Sequence, residues 1–103
     1  MRVLSTEETG RKVGTSFHDT VVYATPQQLI DAIGTPSYEN NEGEDKVNME
    51  WVCETGDGEV FTIYDWKYYR PLEMDEEVGW HIGGKNGIHT YKGKVELEEA
   101  LGY

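Results

Sequence analysis

Apolar and polar positions divide the chain into short segments with distinct periods. FHDTVVYA, residues 17–24, is β-branched and aromatic, the composition of a strand. In TPQQLIDAIG the signals are helical: Thr25 as N-cap, Pro26 at the first helical position and Gln28 three residues after the cap. Leu29, Ile30 and Ile33 then form an apolar stripe, and Gly34 is the expected stop. VNMEWVCE (47–54) and EVFTIYDWK (59–67) flank TGDG, a strong hairpin signal. Alternation puts Val47, Met49, Trp51 and Cys53 on one face, opposite Asn48, Glu50, Val52 and Glu54. Pairing across a loop of two or four residues adds Val60, Thr62, Tyr64 and Trp66 to the first face, and Phe61, Ile63 and Asp65 to the second.

VGWHIGG (78–84) predicts a further strand ended by paired glycines, and residues 2–4 a weak one. GKVELEEAL (93–101) predicts a short helix from Val95, Leu97 and Leu101, its start blurred by Gly87 and Gly93. TPSYENNEGEDK (35–46) and KYYRPLEMDEE (67–77) are loops by composition. The order implies an α+β domain spanning 1–103, a mostly antiparallel sheet of about four strands with two helices packed on it.

Charge narrows the function. The formal net charge is −11, and from residue 37 onward 6 basic residues face 16 acidic ones. Phosphate would be repelled over most of such a surface, which argues against direct nucleic-acid or anionic-membrane binding and for a partner with a basic surface. The plainer alternative is acidity that serves solubility alone. No apolar run approaches membrane-spanning length, and MRVLSTEETGRK lacks a signal-peptide core. With Cys53 as the single cysteine, an intracellular, reducing setting is the expectation.

Candidate chemistry is sparse. His18, Cys53, His81 and His89 have no metal-ligand spacing, and neither a metal nor a cofactor is expected. Cys53 sits mid-strand as a buried thiol; a nucleophile pair with His81 is the active alternative. Glu50 and Asp65, expected on one face, are either solvated edge charges or, with His81, the acid–base set of a hydrolase. GGKNG (83–87) is a strand-end turn or a phosphate cradle, giving a ligand site of Trp80, His81, Gly83, Gly84 and Lys85. ENNEGED (39–45) and EMDEE (73–77) are the stronger candidates. They place Glu42, Glu44 and Asp45 near Tyr38, and Glu73, Asp75, Glu76 and Glu77 near Tyr68 and Tyr69. Tyrosines beside charge are interface composition. Tyr64 and Trp66 are expected in the core, while Trp80 is a further contact candidate.

TIYDWK (62–67) and WHIGG (80–84), preceded by KVNMEWVCETGDGEV (46–60) and GTSFHDTVVYATPQQLIDAIGTP (14–36), resemble a pattern in small acidic accessory proteins of tailed bacteriophages. The chain departs from that pattern after Gly84. The resemblance implies a protein acting in the cytoplasm of an infected bacterium and supplies no catalytic residues. It further implies an inhibitor of a host protein, such as a CRISPR or restriction nuclease, that imitates the charge of DNA. The alternative is a protein that sequesters a signalling nucleotide of an anti-phage defence system. Homodimerisation is compatible with either.

Overall fold

Reciprocal capping starts the first helix. The Gln28 amide N–H donates to Thr25 Oγ1 (3.0 Å), and the Thr25 N–H donates to Gln28 Oε1 (2.7 Å). Helix α1 runs Pro26–Ile33 and stops at Gly34, whose φ of 101° suits glycine. The computed structural model describes residues 1–103 and places α1 in the order β1 (Arg2–Val3), a 3-10 helix (Thr6–Lys12), β2 (Ser16–Ala24), α1, β3 (Tyr38–Glu39), β4 (Met49–Glu54), β5 (Val60–Tyr64), β6 (Val78–Gly84) and α2 (Gly87–Leu101). The α+β class and antiparallel sheet match expectation, but the sheet has six strands rather than four, in the order β1-β4-β5-β6-β2 with β3 also on β4. Strands β1 and β3 share one edge of β4, through Val3↔Cys53 and Tyr38↔Glu50. Ser37 Oγ bridges the gap between them, donating to the Leu4 carbonyl and accepting from the Val52 amide.

The β4–β5 turn corrects the expected faces. The Thr55 N–H donates to the Glu59 carbonyl (2.8 Å) and the Gly58 N–H to the Thr55 carbonyl (3.0 Å), while Gly58 takes φ 85°. This is a three-residue loop with a left-handed third residue. An odd loop moves the register by one, which exchanges the two faces of β5. Trp51 therefore pairs with Ile63 and Cys53 with Phe61. Phe61 and Ile63 enter the core, and Tyr64 leaves it.

The core lies between the sheet and both helices, gathering Met49, Trp51, Cys53, Phe61, Ile63, Trp80 and Ile82 under Leu29 of α1 and Leu97 of α2. Trp51 and Trp80 meet edge to face at 5.4 Å, and each indole N–H is satisfied, on the Gly34 carbonyl and the Ala24 carbonyl respectively. On the opposite face Leu4, Val52 and Val60 form a small second cluster beside the 3-10 helix. Helix α2 begins at Gly87, earlier than the predicted 93, because Asn86 Oδ1 caps the His89 N–H. Gly93 is an inner position of that helix. A Cβ there would stand 2.5 Å from the Phe61 ring.

That contact reverses the usual helix preference. Gly→Ala inside a helix ordinarily gains up to about 1 kcal/mol, but Gly93→Ala should lose about 1–3 kcal/mol through overpacking against Phe61. Trp51→Ala should cost roughly 3–5 kcal/mol, as large core truncations do. Urea unfolding of the two variants checks both, and a stabilised Gly93→Ala would show that α2 does not sit down on Phe61.

Candidate interaction surfaces

Two acidic loops, 40–48 and 65–77, are tied together by buried amides and one buried carboxylate. Asp65 Oδ1 accepts the Asn48 N–H (2.8 Å) and the Met49 N–H (2.9 Å), and Oδ2 accepts from Asn48 Nδ2 (2.9 Å). Asn48 Nδ2 also donates to the Arg70 carbonyl, and its Oδ1 accepts the Gly43 N–H. Asn41 pairs with both backbone groups of Leu72. Gly43, at φ 79°, lies so near Arg70 that a Cβ would stand 2.5 Å from its Cα. The loops thus form one preorganised surface, with every side-chain polar atom of the Asn48–Asp65 pair hydrogen-bonded.

Arg70 closes the second loop through a bidentate pair with Glu76, both contacts 2.7 Å. That guanidinium first, and then the Glu73 N–H, hold the Glu76 carboxyl at about 2, below its ordinary 4.5. Glu76 is therefore structural rather than offered to a partner. Glu42, Glu44, Asp45, Glu73, Asp75 and Glu77 remain exposed. Tyr69, 54% exposed, stands on a left-handed backbone at φ 53°. Tyr68 departs from its expected role: it packs against the core, and its hydroxyl accepts the Gly79 N–H. Tyr38 is 43% exposed but belongs to strand β3 rather than a loop.

The other expected constellations do not assemble. Trp80 is fully buried in the core, while its neighbour His81 faces the opposite side of the sheet. Gly83 and Gly84 are packing positions, since a Cβ on either would stand 2.4 Å from Thr62 Oγ1 or Thr90 Oγ1. Lys85 is exposed beyond them. The five thus line no common cradle. Cys53 is buried on the helix-covered face, away from His81, and burial pushes its thiol far up, which removes the nucleophile reading. Glu50 and Asp65 do not share a face either: Glu50 pairs with Lys12 at 2.6 Å while Asp65 ties the loops. No three His, Cys, Asp or Glu side chains come together as a metal site, and no helix is long and apolar enough to cross a membrane.

The open face of the sheet carries an aromatic group that includes Tyr64 and Trp66, both expected in the core. Phe17 stacks on His81 at 4.0 Å with 15° between the planes, and Tyr64 meets His81 edge-on at 5.4 Å. Trp66, assigned to the core, is 40% exposed and lies 6.0 Å from Tyr64 and 6.3 Å from His81. Lys46 and Lys67 lie 5.8 and 5.6 Å from the Trp66 ring centre. Burial lowers the basicity of His81. Beside Trp66 runs an open groove of about 370 Å³, lined in part by Lys12, Ser16, Glu50, Thr62 and Tyr64. The lysine adjoining Trp66 in DWK was the available signal; it needed the odd turn to be seen.

Comparison with family models, with curated proteins and with solved structures finds no match for this chain.

Two variants test the clasp. Asp65→Ala leaves three buried donors without an acceptor and should lose about 3 kcal/mol or more, with faster hydrogen exchange in both loops. Protection as in wild type would show that Asp65 does not tie them. Glu76→Gln should be less stable than wild type at pH 6. Because the folded-state pKa of Glu76 lies below the unfolded one, its contribution is complete above about 4.5 and fades as the pH falls through about 2. The gap between the two proteins should close over that range in chemical unfolding.

Proposed function

We propose that this protein is a non-enzymatic binding protein that occludes a basic surface of a bacterial protein, such as the nucleic-acid cleft of a defence nuclease. The observation that carries the reading is the clasp. Two acidic segments, separated in sequence by most of the hairpin, meet as one surface held by Asn41, Asn48 and Asp65. Preorganisation of this kind lowers the entropy lost on docking. The six exposed carboxylates supply attraction towards a basic partner, and Tyr69 supplies a broad ring beside them. The catalytic candidates of the sequence have structural work: Asp65 ties loops, Glu50 holds Lys12 and Cys53 fills the core. The phage-infected cell as the setting, and inhibition as the outcome, rest on the resemblance to phage accessory proteins.

The test is capture from bacterial lysate, followed by kinetic titration of the captured protein. Glu73→Gln, Asp75→Asn and Glu77→Gln together remove three charges while leaving Glu76 to hold Arg70. Association should slow several-fold at low salt, and the difference should narrow as salt screens the surface. Tyr69→Ala should speed dissociation instead. An association rate indifferent to the triple change would rule out docking through these loops.

A further inference from the structure

Six of the nine lysines and arginines are in ion pairs with carboxylates: Arg2, Arg11, Lys12, Arg70, Lys92 and Lys94. Lys46, Lys67 and Lys85 have no carboxylate partner. In a chain with 20 acidic residues, two of these three free cations converge on the same half-exposed indole, Trp66. A ring face, two ammoniums without a carboxylate partner and an adjoining groove come together in a chain that is otherwise strongly acidic.

We propose that the open sheet face binds a nucleotide of one or two phosphates, its base stacked in the Trp66–Tyr64 groove and its phosphate held by Lys46 and Lys67. The groove, about 370 Å³, lies at the small end of the range for small-ligand sites. Tyr64 and Trp66 line it together with Thr62 and Ser16, whose hydroxyls suit a ribose, while Lys46 and Lys67 lie outside the lining, over the Trp66 ring. Glu50 faces the same groove, but Lys12 neutralises it at 2.6 Å. The two lysines have long, mobile stems that can leave the indole for a phosphate without rebuilding the backbone. Stacking of a base on an aromatic ring tolerates any base, so the site selects base plus phosphate rather than one nucleobase. A long polyanion is excluded by the same field that a small ligand escapes, since most of its phosphates would lie over acidic surface. This site uses none of the exposed carboxylates of the docking surface proposed above, although Lys46 and Lys67 stand in the same two loops.

Isothermal titration with AMP, GMP, ADP and GDP, with the bare nucleosides, with inorganic phosphate and with a single-stranded 12-mer gives the test. At least one nucleotide should bind, and its nucleoside and inorganic phosphate should each bind about tenfold more weakly or worse. Trp66→Ala and the Lys46→Ala, Lys67→Ala pair should each weaken binding about tenfold or more, with Trp66→Phe retaining most of it. Trp66 is surface-exposed, so these variants should fold, and far-ultraviolet circular dichroism verifies this. The Glu73, Asp75 and Glu77 triple variant should bind the nucleotide at least as well as wild type, which separates this site from the docking loops. No nucleotide binding, binding that survives both Trp66→Ala and the lysine pair change, or preference for the 12-mer over every mononucleotide would each overturn the proposal.

Discussion

Gly58, at φ 85° in the third position of the β4–β5 loop, fixes the parity of the central hairpin. Side chains on a strand alternate with period two, so one residue more or less in the loop sends every side chain of β5 to the other face. With the loop at three residues, Phe61 and Ile63 meet Trp51 and Cys53 beneath the helices. Thr62 and Tyr64 point away from them, into the open face with His81 and Phe17. Asp65, next in line, turns back towards Asn48 and Met49. Core, aromatic face and loop clasp are three consequences of a single turn.

The clasp explains why a buried carboxylate is tolerated. Removing a charge from water costs several kcal/mol unless its oxygens are fully hydrogen-bonded. Asp65 is fully buried and receives three N–H donors, two from backbone amides at the start of β4. Those amides lie where β4 leaves the loop, and the Asp65 carboxylate takes the place of a ladder partner for them. In return Asn48, fixed by Asp65, holds Gly43 on one side and Arg70 on the other. The acidic loops are therefore extensions of the sheet rather than free excursions from it.

Local chemistry was legible in the sequence wherever one short segment contained the whole cause. The Thr25–Gln28 capping box, the β-branched run of β2 and the glycine-ended β6 each needed no distant partner, and each lies close to its expected range. The hairpin was legible as a hairpin but not in its parity, because TGDG suits loops of different lengths. That ambiguity moved Tyr64 and Trp66 inward, though Trp66 is exposed, and Trp80, a contact candidate on separate grounds, is fully buried. Strand β3 and the 3-10 helix were not legible, since both are short and polar and depend on the β4–β5 half of the sheet for their place. Among site residues, the acidic loops were legible as composition. Asn41 and Asn48 were not, because an asparagine in a polar loop looks the same whether it clasps another loop or faces water.

The two surfaces differ in the length scale over which charge acts. A folded partner covering many residues meets the summed field of the molecule, which is strongly negative. A ligand no larger than the Trp66 groove meets chiefly what lies within a Debye length, roughly 8 Å at physiological salt. Lys46 and Lys67, neither paired with a carboxylate, lie 5.8 and 5.6 Å from the indole centre, and the Lys12–Glu50 pair lines the groove beside it. A net charge of −11 works against a polyanion more strongly than against a small anion. The Lys67 N–H donates to the Lys46 carbonyl at 2.7 Å, so the segments that carry the acidic clusters also hold these two lysines side by side. One pair of loops, tied by Asp65, thus carries charges of both signs.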